Sequence, residues 1–218
     1  RSLEGQTLPV EILTTLLAKG RVPHALLFIG PEGVGKQTAA KALAQAYLCR
    51  ERPPGAAEAC GTCPSCRQVA ADSHPDLLRV APVGDIIRVH QIRELVEALM
   101  MKPYAGAGRV VLMPQAQALN PEAGNALLKA LEEPPDQTVL ILTARQVSDL
   151  LPTIVSRCQC IRFHPLPRAT VERLLTAREG LAPDEAAGLA AMVDGSFGRA
   201  LALQAHGWPA RREWLLEE

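Results

Sequence analysis

A glycine-rich segment between an apolar run and a helical stretch has the composition of a phosphate-binding loop. Residues 30–38 read GPEGVGKQT and follow the apolar run Ala25–Ile29. The glycines allow successive backbone N–H groups to point into one concavity, where the N-terminus of the next helix adds partial positive charge. Lys36 would reach the terminal phosphates of a nucleotide. The alternative is a turn that only connects strand and helix. The residues predicted to contact nucleotide are Gly30, Gly33, Gly35, Lys36, Gln37 and Thr38.

Three positions in two segments, all needed for Mg²⁺-dependent hydrolysis, carry unsuitable side chains. Gln37 stands where a Ser or Thr hydroxyl would hold Mg²⁺, and Thr38 lies about 100° further around the helix, so we expect it to point elsewhere. The buried run Arg109–Met113 is followed by Pro114 and Gln115 instead of the acidic pair that holds Mg²⁺ and orients the attacking water. The sequence therefore predicts negligible ATP hydrolysis, whereas binding of ATP or ADP stays open.

Four cysteines are spaced to hold one metal ion. They follow the pattern C-x10-C-x2-C-x2-C in a segment rich in proline and glycine. Four thiolates can surround Zn²⁺ tetrahedrally and leave no coordination position open, so the predicted zinc site is structural. Free or disulfide-paired thiols are the alternative. The predicted ligands are Cys49, Cys60, Cys63 and Cys66.

An α/β fold would position these residues, because short apolar runs alternate with stretches of helical spacing. The predicted strands are Ala25–Ile29, Leu77–Val80, Arg109–Met113, Thr138–Thr143 and Cys158–Phe163. The predicted helices are Val10–Lys19, Thr38–Leu48, Arg88–Met101, a helix that begins at Pro121, Thr170–Glu179, Asp184–Val193 and one capped by Ser196. Pro165 and Pro167 mark a linker before the last three helices.

Composition narrows the functional classes. The 218 residues carry a formal net charge of zero, and aromatic residues make up 3% of them. A chain without a basic field and with few aromatic side chains is a poor candidate for strong independent nucleic-acid binding. No apolar run approaches the roughly 20 residues of a membrane span, and the first residues do not resemble a signal peptide. We therefore expect a cytoplasmic protein with no membrane partner.

An arginine at the start of the last predicted strand is a second candidate for phosphate chemistry. Arg157 lies in the triplet Ser156-Arg157-Cys158, at the edge of the predicted sheet. From there it could contact a nucleotide bound by a neighbouring protein, as arginine fingers do. A surface salt bridge is the alternative, and these residues alone do not separate the two.

Several segments together resemble the bacterial clamp-loader branch of the AAA+ proteins. They are the phosphate loop, the four-cysteine segment, NALLKALEEPP at 125–135, the triplet at 156–158 and GSFGRA at 195–200. The resemblance covers nearly the whole chain. It implies a P-loop core with a parallel five-stranded sheet flanked by helices and a four-cysteine zinc insert. A small helical lid domain would follow this core.

The resemblance also implies domain limits. Residues 1–164 would form the P-loop core, with the zinc insert at 49–66, and residues 165–207 would form the lid. Residues 208–218 would be the start of a helical collar domain, of which the rest would be missing from this chain.

Roles for single residues and partners follow from the same resemblance. Arg157 would be an arginine finger that reaches ATP bound in an adjacent gamma/tau subunit. Thr143 and Arg199 match positions that sense nucleotide in active relatives, although a structural role is equally consistent here. The implied complex is a hetero-pentamer with gamma/tau and delta subunits, which opens the sliding clamp and places it on primed DNA. This chain would be its non-hydrolysing member.

Two other functions are alternatives. An ATP-hydrolysing motor subunit of the gamma/tau kind would need Mg²⁺ ligands that Pro114 and Gln115 do not supply. A zinc-dependent nucleic-acid-binding module is disfavoured by the zero net charge.

Overall fold

The computed structural model describes residues 3–105 and 108–206. Its strands are β1 (Ala25–Ile29), β2 (Leu77–Arg79), β3 (Arg109–Met113), β4 (Thr138–Ala144) and β5 (Gln159–Arg162). Its first helices are α1 (Thr7–Ala18), α2 (Lys36–Leu48), α3 (Pro64–Ala70), α4 (Val89–Met100), α5 (Pro121–Glu132) and α6 (Pro152–Val155). Helices α7 (Arg168–Glu179), α8 (Pro183–Met192) and α9 (Phe197–Ala205) follow β5.

The five strands form one parallel sheet in the order β2-β3-β4-β1-β5. Strand β1 lies between β4 and β5, with Ala25 opposite Leu140 and Leu26 opposite Gln159. All strands point the same way, so the loops after β1, β3 and β4 meet at one edge of the sheet. This edge brings the glycine-rich loop next to Pro114 and Gln115. The predicted five-stranded parallel sheet with flanking helices is confirmed.

Both faces of the sheet are covered by apolar side chains. Every residue of β1 and β4 is buried. Leu27 and Leu140 pack on one face with α4 and α5, whereas Leu26, Phe28 and Ile141 pack on the other with α1 and α2. Side chains alternate between the faces along a strand, so an uninterrupted apolar run is what a strand buried on both sides requires.

The last three helices have a small apolar cluster of their own. Leu174 and Leu175 of α7, Leu189 of α8 and Ala200 of α9 pack together with Leu166 from the preceding linker. This cluster is consistent with the proposed lid at 165–207, although the division into domains stays a prediction. The proposed start of a collar domain at 208–218 lies outside the described residues.

The predicted helices and strands differ from the structure mainly at their first and last residues and in the cysteine segment. Helix α2 begins at Lys36, two residues before the predicted start, and α3 and the single turn of α6 were not predicted. Asn120 and Ser196 cap α5 and α9 as predicted, each accepting a hydrogen bond from the backbone three residues later. Among the helices of the described residues, none has the length and apolar character needed to cross a bilayer.

Candidate functional site

The glycine-rich loop forms one wall of a cavity of about 600 Å³. Gly33 and Gly35 have φ angles of 72° and 105°, in the left-handed region that favours glycine. A Cβ atom on Gly33 would overlap the Ser196 hydroxyl, so this position also needs glycine for space. The other predicted nucleotide contacts that line the cavity are Lys36, Gln37, Thr38, Thr143 and Arg199.

Lys36 lies buried beneath the loop. Its Nζ donates hydrogen bonds to the carbonyl oxygens of Gly30 and Pro31, at 2.5 and 2.6 Å. Burial lowers the pKa of Lys36 to about 8, with Glu32 opposing this shift and Arg145 adding to it. The ammonium group is therefore mostly protonated at neutral pH, next to the position where a phosphate would bind.

The position that would hold Mg²⁺ is formed by uncharged residues. Gln37 and Thr38 are exposed, and both are among the residues that line the cavity. Gln115 follows β3 with a φ of 57°, and its N–H donates to the Thr143 hydroxyl at 3.3 Å. Thr143 thus ties the end of β4 to the end of β3.

Only two acidic residues line the cavity within the described ranges, and arginines engage both. Glu32, in the loop itself, pairs with Arg145 at 2.7 Å. Glu4 pairs with Arg173 and Arg178, and its pKa is lowered chiefly by the hydrogen bond from Arg173. Sequence reasoning missed both acidic residues, because Glu32 occupies a variable position of the glycine-rich motif, Glu4 lies outside any motif, and their partners are distant in the chain.

The segment before α9 closes directly on the glycine-rich loop. Ser196 donates its hydroxyl hydrogen to the Glu32 carbonyl at 2.7 Å, and the Gly198 N–H donates to the Gly33 carbonyl at 3.0 Å. Arg199 follows at once, which places this residue on the wall of the cavity.

Gln6 is a further contact of the loop that sequence reasoning missed. It is 2% exposed, and its amide donates to the carbonyl oxygens of Val34 at 3.1 Å and His164 at 2.6 Å. A single glutamine outside any motif gives no signal of such a role.

The four predicted zinc ligands converge at one point. Their sulfur atoms all lie within 4.8 Å of one another, and three of the separations are 3.5, 3.8 and 4.0 Å. A tetrahedron with Zn–S bonds of 2.3 Å has S···S edges of about 3.8 Å, so the cluster has the size of a zinc site. The members are Cys49, Cys60, Cys63 and Cys66.

Backbone hydrogen bonds to sulfur also suit a metal site. The N–H groups of Cys60, Cys63 and Cys66 point at the sulfur of the preceding ligand at 3.3–3.4 Å. Such bonds from Cys63 and Thr62 lower the pKa of the Cys60 thiol to about 6, whereas burial raises the pKa of Cys66. A cation would favour the thiolate form of every ligand.

Arg157 lies apart from the cavity, at the turn between α6 and β5. One Nη atom is 2.6 Å from the Glu132 carboxylate, and the other donates to the Thr153 carbonyl at 3.0 Å. The side chain is 35% exposed. Arg157 is not among the residues that line the cavity beside the glycine-rich loop.

Solved structures of other proteins share this fold. A gamma subunit-related DNA polymerase III protein from Thermotoga maritima is similar with a TM-score of 0.62 and 24% identity, over 89% of this chain and 56% of that one. The RuvB Holliday junction branch migration motor of the same organism has a TM-score of 0.59 and 15% identity, over 91% and 60%. At these identities the likeness concerns the fold alone. The fold and its glycine-rich loop are those of an AAA+ P-loop protein.

Sequence relatives narrow the class to a family. A family model described as "DNA polymerase III, delta subunit" matches residues 5–167. The chain belongs to the DNA polymerase III delta′ subunit family. It is 45% identical over 166 residues to subunit delta′ of Pseudomonas aeruginosa, covering 75% of this chain and 49% of the relative. With Escherichia coli delta′ it shares 34% identity over 204 residues, covering 92% and 60%.

DNA polymerase III subunits named gamma/tau are also similar to this chain. Subunit gamma/tau of Mycobacterium tuberculosis is 34% identical over 179 residues, which cover 80% of this chain and 30% of the relative. The chain spans about half the length of the Pseudomonas aeruginosa and Bacillus subtilis delta′ subunits.

Proposed function

We propose that this chain is a non-hydrolysing clamp-loader subunit of the bacterial DNA polymerase III holoenzyme. Membership of the delta′ family supports a place in that complex, and gamma/tau subunits are among the relatives. In this proposal the chain assembles with gamma/tau and delta subunits into a cytoplasmic hetero-pentamer that loads the sliding clamp onto primed DNA. Its contribution is a scaffold and an arginine finger, Arg157, directed at ATP in a neighbouring gamma/tau subunit.

The absence of a carboxylate at the end of β3 carries the proposal. Pro114 and Gln115 supply no carboxylate to hold Mg²⁺ or activate water, and Gln37 lacks the hydroxyl that would complete the cation site. Glu4 and Glu32, the acidic residues on the cavity wall in the described ranges, are held by arginines. A chain that binds triphosphate but lacks these groups is suited to assist catalysis in a neighbouring subunit.

The position of Arg157 supports a role in trans. The guanidinium is partly exposed and lies outside the chain's own cavity, and arginine remains charged at every physiological pH. An arginine placed in this way can stabilise charge on a phosphoryl group that a neighbouring subunit holds.

The proposal includes a structural zinc ion held by the four cysteines. The ion would fasten residues 49–63 to α3, because Cys66 lies within that helix. With four protein ligands the zinc would have no position for substrate.

We further propose that the cavity binds ADP or ATP without requiring Mg²⁺. The loop keeps its glycines and Lys36, and Arg199 is among the residues that line the same cavity. Protein cations can supply part of the charge that a metal ion would otherwise bring to the phosphates.

Affinity for ADP should depend on pH through Lys36. Its pKa is near 8 in the free protein, and bound phosphate would raise this pKa. Binding is therefore strongest below that pH and weakens above it, by about fivefold between pH 8 and pH 9. Calorimetry with ADP at several pH values tests this, and Lys36→Met should weaken binding and remove the pH dependence. An affinity that is constant from pH 7 to pH 9, or no detectable binding at all, would contradict the proposed site.

ATP turnover by the isolated chain tests the absence of hydrolysis. We expect no phosphate release above background at saturating Mg²⁺, because one missing transition-state group commonly costs a factor of about 10² and several are missing here. A gamma/tau subunit assayed in parallel is the positive control. Turnover that requires Mg²⁺ and is abolished by Lys36→Ala would instead support the motor function suggested by the gamma/tau relatives.

A further inference from the structure

We infer that Glu132 is a positioning residue that orients the Arg157 guanidinium before a neighbouring phosphate arrives. The inference rests on the proposed finger role of Arg157 and adds a second residue to it. Glu132 is the last residue of α5, and its carboxylate lies 2.6 Å from an Nη atom of Arg157. This ion pair joins the end of α5 to the turn that precedes β5.

Two further acceptors, both close to Arg157 in the chain, hold the guanidinium. The other Nη atom donates to the Thr153 carbonyl at 3.0 Å and to the Ser156 hydroxyl at 3.4 Å. Ser156 in turn donates to the Thr153 carbonyl at 3.1 Å. Both Nη atoms are therefore anchored, while the side chain keeps 35% of its surface exposed.

Such an arrangement orients the arginine without burying it. A guanidinium has five N–H donors, and these contacts leave donors for an incoming phosphate. The anchors reduce the rotamer freedom of a long side chain that must otherwise be ordered when phosphate binds. Both partners are partly exposed, at 35% and 50%, so the pair contributes little to the free energy of folding. Its contribution lies in the placement of the guanidinium.

The same carboxylate could instead compete with phosphate for Arg157, and the two roles predict opposite effects. If Glu132 positions the arginine, its loss slows catalysis, because a displacement of about 1 Å can cost as much as about a hundredfold in rate. If Glu132 competes, its loss accelerates catalysis. One Nη atom is held by two neutral acceptors and the other by Glu132, so the guanidinium is fixed at both ends, which favours positioning.

The test uses the reconstituted clamp loader with primed DNA and compares Glu132→Ala, Glu132→Gln and Glu133→Ala. We expect Glu132→Ala to lower kcat for ATP about fivefold with KM nearly unchanged. Glu132→Gln keeps an oxygen acceptor at the same place and should recover at least half of the wild-type rate. Glu133 is the adjacent exposed carboxylate, and its substitution should leave the rate unchanged.

The double variant shows whether Glu132 acts through Arg157 or whether its substitution causes an unrelated defect. Adding Glu132→Ala to Arg157→Ala should cause no further loss, and thermal unfolding of each single variant should match the wild type. The inference is overturned if Glu132→Ala matches or exceeds the wild-type rate, if Glu132→Gln is as slow as Glu132→Ala, or if the double variant is slower than Arg157→Ala. An unchanged rate for Arg157→Ala alone would refute the finger role itself, which is a separate outcome.

Discussion

Replacing Arg157 with alanine is expected to reduce DNA-stimulated ATP turnover at the neighbouring gamma/tau site by about 10³-fold. Arginine fingers supplied from another subunit typically contribute about 10³ to 10⁵ to the rate of phosphoryl transfer, because they neutralise charge that develops in the transition state. The effect should fall on kcat rather than on assembly, since the Arg157 side chain is partly exposed and packs into no apolar cluster of the described residues. Single-turnover phosphate release by the loader measures it.

Two further variants show whether the effect is specific to the guanidinium of Arg157. One is a conservative substitution of Arg157, and the other removes a nearby arginine. Arg157→Lys keeps the charge but loses the planar fork, so we expect it to recover little activity. Arg162→Ala, at the exposed end of β5, should behave as wild type. A loader with Arg157→Ala that assembles and turns over ATP at the wild-type rate would eliminate the finger.

Removal of the metal should have the second largest effect. We expect about one zinc ion per chain in protein purified without chelator, and almost none after Cys66→Ser. Loss of the ion would remove the bonds that tie the four cysteines together, leaving residues 49–63 held by few other contacts, such as the hydrogen bond from Arg52 to the Leu17 carbonyl. It should lower the free energy of unfolding by about 3 kcal/mol, or the unfolding midpoint by about 10 °C. Elemental analysis and thermal unfolding measure the two effects.

Cys160 supplies the matched control for the zinc experiment. It is an exposed cysteine on β5 and does not belong to the four-sulfur cluster. Cys160→Ser should therefore retain both the metal and the stability of the wild type. Zinc far below one ion per chain in the wild type, or full zinc content in Cys66→Ser, would rule out the proposed site.

The strands of the sheet could be predicted because the residues that determine each strand are adjacent in the chain. Strands β1 and β3 occupy the predicted residues, since an apolar run of five residues between polar or glycine-rich turns has few other stable arrangements. The start of α5 follows from Asn120 and Pro121, which satisfy the first N–H groups of a helix and preset its backbone. The four cysteines were found because metal coordination limits ligand type and spacing.

The contacts that complete the candidate sites could not be predicted, because they join residues far apart in the chain. Gln6 bonds to His164, Glu32 pairs with Arg145 and Glu132 pairs with Arg157. Each pair depends on how the elements pack, and a single glutamine or glutamate has no spacing that would reveal its partner. Helix α3 was missed for a different reason, since cysteines and prolines suggested only a loop there.

In the proposed function, this chain acts on a neighbour's ATP through Arg157 and does not depend on its own phosphate loop for catalysis. The most direct test compares Lys36→Ala with Arg157→Ala, each placed in the same reconstituted loader, by measuring DNA-stimulated ATP hydrolysis. We expect Arg157→Ala to lose most of the turnover, whereas Lys36→Ala should stay within about twofold of the wild type, because Lys36 serves a site that lacks the groups for hydrolysis. The reverse pattern, with turnover lost in Lys36→Ala and retained in Arg157→Ala, would contradict it.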